Sequence, residues 1–177
     1  IDSPGAYAVA YCHMEAGERL VGEAGSLAYM SAGVDVKTGL MGGVGKALGR
    51  KLLGGESAFL TGYTAKVRGA WVALSPPYPG DVICTDLDGV LLSEAGSLLG
   101  YSGNIELSIK TTRMANVMGR EGLTFLELKG KGQVLLSTYG AHNCFNLSAG
   151  QAVVVDTGHL VAYEPSVNVE FGYLGGL

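Results

Sequence analysis

"GERLVGEAGSLAYMS" (Gly17 to Ser31) and "GVLLSEAGSLLGYS" (Gly89 to Ser102) share Glu-Ala-Gly-Ser-Leu, residue for residue, at Glu23–Leu27 and Glu94–Leu98. A looser third copy, "GQAVVVDTGHLVAYEP" (Gly150 to Pro165), sets Asp156-Thr157-Gly158-His159-Leu160 in the same place. An apolar run, an acid-x-Gly and a second apolar run are the grammar of two strands joined by a tight turn. Gly25, Gly96 and Gly158 are expected to supply positive φ, and Glu23, Glu94 and Asp156 to accept hydrogen bonds from turn amides. These residues, and His159 beside its turn, therefore read as turn-makers rather than catalysts.

Similarity continues downstream. Leu48-Gly49-Arg50 answers to Met118-Gly119-Arg120, and Phe59-Leu60 to Phe125-Leu126. The chain reads as one domain, residues 1–177, made of two related halves (about 7–88 and 89–177) that join near Asp88-Gly89, with a closing hairpin. Elsewhere the apolar period is two: "AFLTGYTAKV" (Ala58–Val67), "AWVAL" (Ala70–Leu74), "LTFLELK" (Leu123–Lys129), "QVLLSTY" (Gln133–Tyr139) and "VNVEFGY" (Val167–Tyr173). Such β-branched and aromatic runs, punctuated by turn residues, predict an all-β sandwich or barrel. "SPPYPGD" (Ser75–Asp81) is a rigid corner, a place for a cis peptide, because its prolines cannot donate to a ladder.

Composition narrows the function. Of 177 residues, 47% are hydrophobic and 16% charged, so part of the surface is expected to be hidden against another copy or a partner. A net charge of -4 leaves no global basic face for nucleic acid. Cys12, Cys84 and Cys144 have no CxxC spacing and read as reduced, buried thiols in a cytoplasmic compartment. No apolar run approaches the roughly 18 residues of a membrane-spanning helix. The N-terminal residues carry neither an Arg-rich start nor an apolar signal core.

"GLMGGVGKALGRKLLGG" (Gly39–Gly55) invites a phosphate-cradling reading and fails it. Gly45-Lys46 would need Gly at position 40 and Ser or Thr at 47, where the chain has Leu40 and Ala47. At helical spacing, Leu40, Met41, Val44, Ala47, Leu48 and Leu52 fall within an arc of about 140°. Its glycines each cost a helix roughly 1 kcal/mol. The stretch is therefore expected to be a docked helix or loop insert, a lid or an interface seal. Its sharper reading is a membrane-surface contact through Lys46, Arg50 and Lys51, each cation adding only about 1 kcal/mol.

Chemistry-bearing clusters are sparse. His13, His142 and His159 show no HxH or HxxxH pair, there is no G-x-S-x-G elbow, and no cysteine is tied by spacing to a histidine and an acid. No catalytic residue, metal site or cofactor is therefore predicted. "GQAVVVDTGH" is similar to the second motif of cupins, which places a metal-binding histidine, but the first cupin motif has no counterpart here.

"SLAYMS", "LLGGESAFL", "PPYPGDV", "LSTYGA" and "VVVDTGHLVAYEPSV", in that order, resemble the mitochondrial biogenesis family, formerly catalogued as a domain of unknown function, from about Tyr7 to Tyr173. The resemblance implies a double-stranded β-helix of jelly-roll type, grouped with the tryptophan-dependent RNA-binding attenuator protein (TRAP-like), and self-assembly. It transfers no catalytic residues. It implies a cytoplasmic setting for bacterial or archaeal members and a mitochondrial one in eukaryotes. The second insert, "TTRMANVMGREG", departs from the glycine-rich pattern of the first. The expected function is a non-enzymatic, homo-oligomeric assembly or scaffold domain, with membrane-surface or protein partners. The rivals are a cupin-like small-molecule binder or enzyme using the interior near His159, and an RNA-binding ring presenting Arg50 and Arg120 periodically, which lacks interleaved aromatic and basic residues.

Overall fold

A computed structural model describes residues 1–2, 7–39, 60–112 and 123–170. The insert residues 40–59, with Lys46, Arg50 and Lys51, and the residues around Arg120 lie outside that set. The described residues form ten strands, β1 (Ala10–Met14), β2 (Arg19–Glu23), β3 (Leu27–Met30), β4 (Val34–Thr38), β5 (Leu60–Ala65), β6 (Ala70–Leu74), β7 (Val82–Glu94), β8 (Leu98–Thr112), β9 (Leu123–Ser137) and β10 (Ala162–Tyr163). A three-stranded sheet has the order β1-β6-β3, and a seven-stranded one the order β10-β7-β9-β8-β2-β5-β4, every neighbouring pair antiparallel. The chain is all-β, as its periodicity predicts.

Alternation along the strands divides the core in two. One cluster gathers Ala10 and Met14 of β1, Val72 and Leu74 of β6, Leu20 of β2 and Tyr63 of β5. It fills the space between the small sheet and the β2–β5 region. Val21 points to the other face and joins Tyr101, Leu126, Leu128, Val134 and Leu136. Leu126 and Leu128 come from one end of β9 and Val134 and Leu136 from the other, so the strand folds its apolar face around that cluster. The fold comes at paired glycines: Gly130 faces Gly89, and Gly132 faces Gly103. A side chain at Gly130 would put its Cβ 2.0 Å from the Asn104 carbonyl oxygen, at a φ of 144°. Long strands are thereby bent without being broken.

The repeated pentapeptide occupies equivalent joins. Gly100 and Tyr101, four and five residues past Gly96, pair with Gly22 and Val21, three and four before Gly25. Ala162 and Tyr163 stand at the same offsets from Gly158 and pair with Ser93 and Leu92, at the same offsets from Gly96. Tyr29 and Met30, likewise past Gly25, pair with Ala73 and Val72 of β6. One register thus recurs at two joins, and its downstream half at a third.

Several expectations need correction. Gly25 has φ 90°, but Gly96 and Gly158 are not left-handed, because Ala95–Ser97 and Thr157–His159 form short 3-10 turns that bond through local carbonyls instead. "LTFLELK" and "QVLLSTY" are one strand, β9, and the join near Asp88-Gly89 falls inside the continuous β7. Residues 167–170 form no strand, and the peptide bonds around the prolines at 76, 77 and 79 are trans.

Candidate interaction surface

The three turns hold their acids in different ways. At the first, the Glu23 carbonyl oxygen accepts from Ser26 N (3.2 Å) and Ser26 Oγ (2.6 Å), with Ser26 fully buried. Burial raises the Glu23 carboxyl above the ordinary carboxylate range. At the second, Ser97 Oγ donates to Glu94 Oε2 at 3.4 Å. At the third, Gly158 N donates to Asp156 Oδ1 at 3.0 Å, and His159 Nδ1 lies 3.5 Å from the same oxygen in the open. Each pairing closes a turn locally.

The histidines stand apart. His13 is exposed on β1, His142 Nδ1 lies 3.2 Å from Asp81 Oδ2, and His159 sits on its own turn. No group of three or more His, Cys, Asp or Glu converges among the described residues. The cysteines differ from expectation: Cys12 is half-buried, while Cys84 and Cys144 are exposed. An odd position in an alternating strand puts Cys84 on the solvent face of β7, and Cys144 lies in an exposed segment.

Two surface features escaped the sequence reading. On the outer face of the small sheet, Tyr11, Trp71 and Tyr29 meet pairwise with ring centroids 5.9 Å apart, tilted or edge-on. The Tyr11 and Tyr29 hydroxyls bond to each other, which holds the Tyr11 phenol above its ordinary pKa. The three rings come from three strands, second in "AYCHM" and "AWVAL" and third in "LAYM", so no local pattern signals the plate. Separately, large apolar side chains stand in solvent: Tyr139 is 84% exposed, Val154 74% and Phe145 60%. A groove of about 470 Å³ runs along β7, lined by Thr85–Leu91 except Gly89 and by Glu164, Pro165 and Ser166.

A family model described as mitochondrial biogenesis AIM24 matches residues 1–177. The crystal structure of a Streptococcus pyogenes protein is similar, with 26% identity and a TM-score of 0.56, over 76% of this chain and 61% of that one. Among curated proteins, none matches. Among the described residues, no helix is long and apolar enough to cross a membrane.

Proposed function

The chain belongs to the mitochondrial biogenesis AIM24 family, and from that premise we propose that it is a homo-oligomeric assembly domain that works through its surfaces rather than through a reaction centre. The observation that carries this reading is the number of large apolar side chains left open, Tyr29, Tyr139, Phe145 and Val154 among them, in a chain with only 16% charged residues. Exposed apolar surface marks sites of association. The recurring register at the turn joins supports a module duplicated within the chain, a construction suited to closed assembly. Exposed, unpaired Cys84 and Cys144 suit a reducing compartment such as the cytoplasm. Light scattering on the eluting protein tests the reading. A mass at a multiple of 18.2 kDa is expected, and a monomer at tens of micromolar protein overturns it.

A further inference from the structure

The segment between β9 and β10 has the composition of two strands about a turn, forms no strand, and enters no ladder among the described residues. Residues 141–159 are all exposed. Ser148 and Gln151 close a turn, Gln151 N donating to the Ser148 carbonyl oxygen (2.9 Å) and Ser148 N to Gln151 Oε1 (2.9 Å), with Gly150 at φ 84°. Two arms leave that turn, Asn143–Leu147 and Ala152–Asp156. The second carries Val153-Val154-Val155, three β-branched residues in a row. From Asn143 to Val155 there is no charged residue. Natural exposed edges are guarded by lysine, proline or a covering element, and this one has none of these guards.

A matching vacancy lies on β7. β9 pairs with β7 along its whole length, Val82 to Glu94. On the other side, among the described residues, β10 meets only Ser93 and Leu92. Val82–Leu91 is therefore a ten-residue open edge with the groove beside it. Leu87 is buried along it and Ile83 and Leu91 pack against the second core cluster, so a docked strand would extend existing apolar packing.

The segment is tethered at both ends of β7, His142 beside Asp81 and Ala162 opposite Ser93. Laid on its own β7, it would have to run straight and parallel. The Ser148–Gln151 turn instead doubles it back, with its residues exposed. A second molecule related by a twofold axis meets no such constraint: its β7 edge can receive an arm antiparallel, and symmetry makes the reverse contact at once.

We propose that the exposed segment Asn143–Asp156 of one molecule adds as a strand to the open Val82–Leu91 edge of β7 in a second copy of this chain. The inference rests on the assembly reading above and names its contact. In wild-type protein, Cys144 on the arm and Cys84 on β7 supply native reporters. A short bis-maleimide is expected to give a covalent dimer whose cross-linked peptide joins Cys84 to Cys144. In a mixture of ¹⁵N-labelled and unlabelled protein that peptide should appear in mixed-isotope form. Cross-linking confined to single chains overturns the proposal.

Val154→Pro removes a ladder donor at a site 74% exposed in the single chain, so it should leave the circular dichroism unchanged while the assembly falls to 18.2 kDa. Val154→Asp should behave alike. If the wild type assembles and both variants assemble equally well, the contact is wrong and the assembly reading stands. A monomeric wild type overturns both. Dissociation of the variants without a Cys84–Cys144 dimer from the wild type removes the β7 edge as the receiving surface.

Discussion

Gly100 on β8 lies opposite Gly22 on β2, and the Leu74 side chain of the small sheet fills the space that both leave. A Cβ at Gly100 would stand 2.7 Å from the Val21 carbonyl oxygen and 2.9 Å from Leu74 Cδ1, and one at Gly22 would stand 3.4 Å from Leu74 Cδ2. The two sheets approach this closely because neither position has a side chain.

Gly100→Ala should therefore push Leu74 out of its seat and lower stability by about 1–3 kcal/mol. Gly130→Ala, where both φ and the Asn104 carbonyl oppose a Cβ, should cost more, about 2–4 kcal/mol. Urea unfolding followed by circular dichroism measures both. Equal midpoints for wild type and Gly130→Ala would mean that the β9 bend is not held by its glycines.

Thiol reactivity should separate the cysteines. Burial, aided by the nearby Cys84, pushes the Cys12 thiol up to about 11, so little thiolate exists at pH 8. Burial also raises Cys84, though it is exposed enough to be reached. With a chromogenic disulfide reagent at pH 8, Cys144 should react first and Cys12 only on unfolding. Rapid modification of all three would contradict the packing around β1.

Glu23 should make stability fall with rising pH. Burial raises its folded pKa, so the neutral carboxyl is the better guest of the fold. The contribution is complete below the unfolded value of about 4.3 and is lost as pH rises through the folded one. Glu23→Gln should accordingly melt higher than wild type at pH 7, by up to about 3 °C, and equal it near pH 3.5. A melting difference that persists at the acid pH would assign the effect to something other than ionisation.

Trp71 is the single tryptophan, and Tyr11 and Tyr29 flank it. Tyr29→Ala should open one side of the indole, shifting its emission to the red and making acrylamide quench it more strongly. Fluorescence identical to wild type would show that the rings do not shield one another in solution.

The sequence reveals strands wherever local pattern decides them. Ala70–Leu74 is found residue for residue, and the pentapeptide marks its turns because a short acid-x-Gly run folds by local hydrogen bonds. It misleads where a partner strand decides. Gly130 and Gly132 look like terminators of "LTFLELK", yet they face Gly89 and Gly103 and only bend β9. The same logic hides the aromatic plate, whose rings belong to strands 18 and 60 positions apart in the chain at Tyr11, Tyr29 and Trp71. Cys84 and Cys144 were expected inside because cysteine usually is. Their exposure is set by the parity of β7 and by the projecting segment, neither of which spacing between cysteines can report.

The seven-stranded sheet is stitched unevenly. Thirteen residue pairs bind β7 to β9, whereas β2 meets β8 through only Leu20, Val21 and Gly22. Pulled from its two ends, or stretched by a translocating motor, the molecule should shed β10, which among the described residues pairs only with Ser93 and Leu92, and then tear along that narrow seam, releasing the β7–β9 meander while it is still folded.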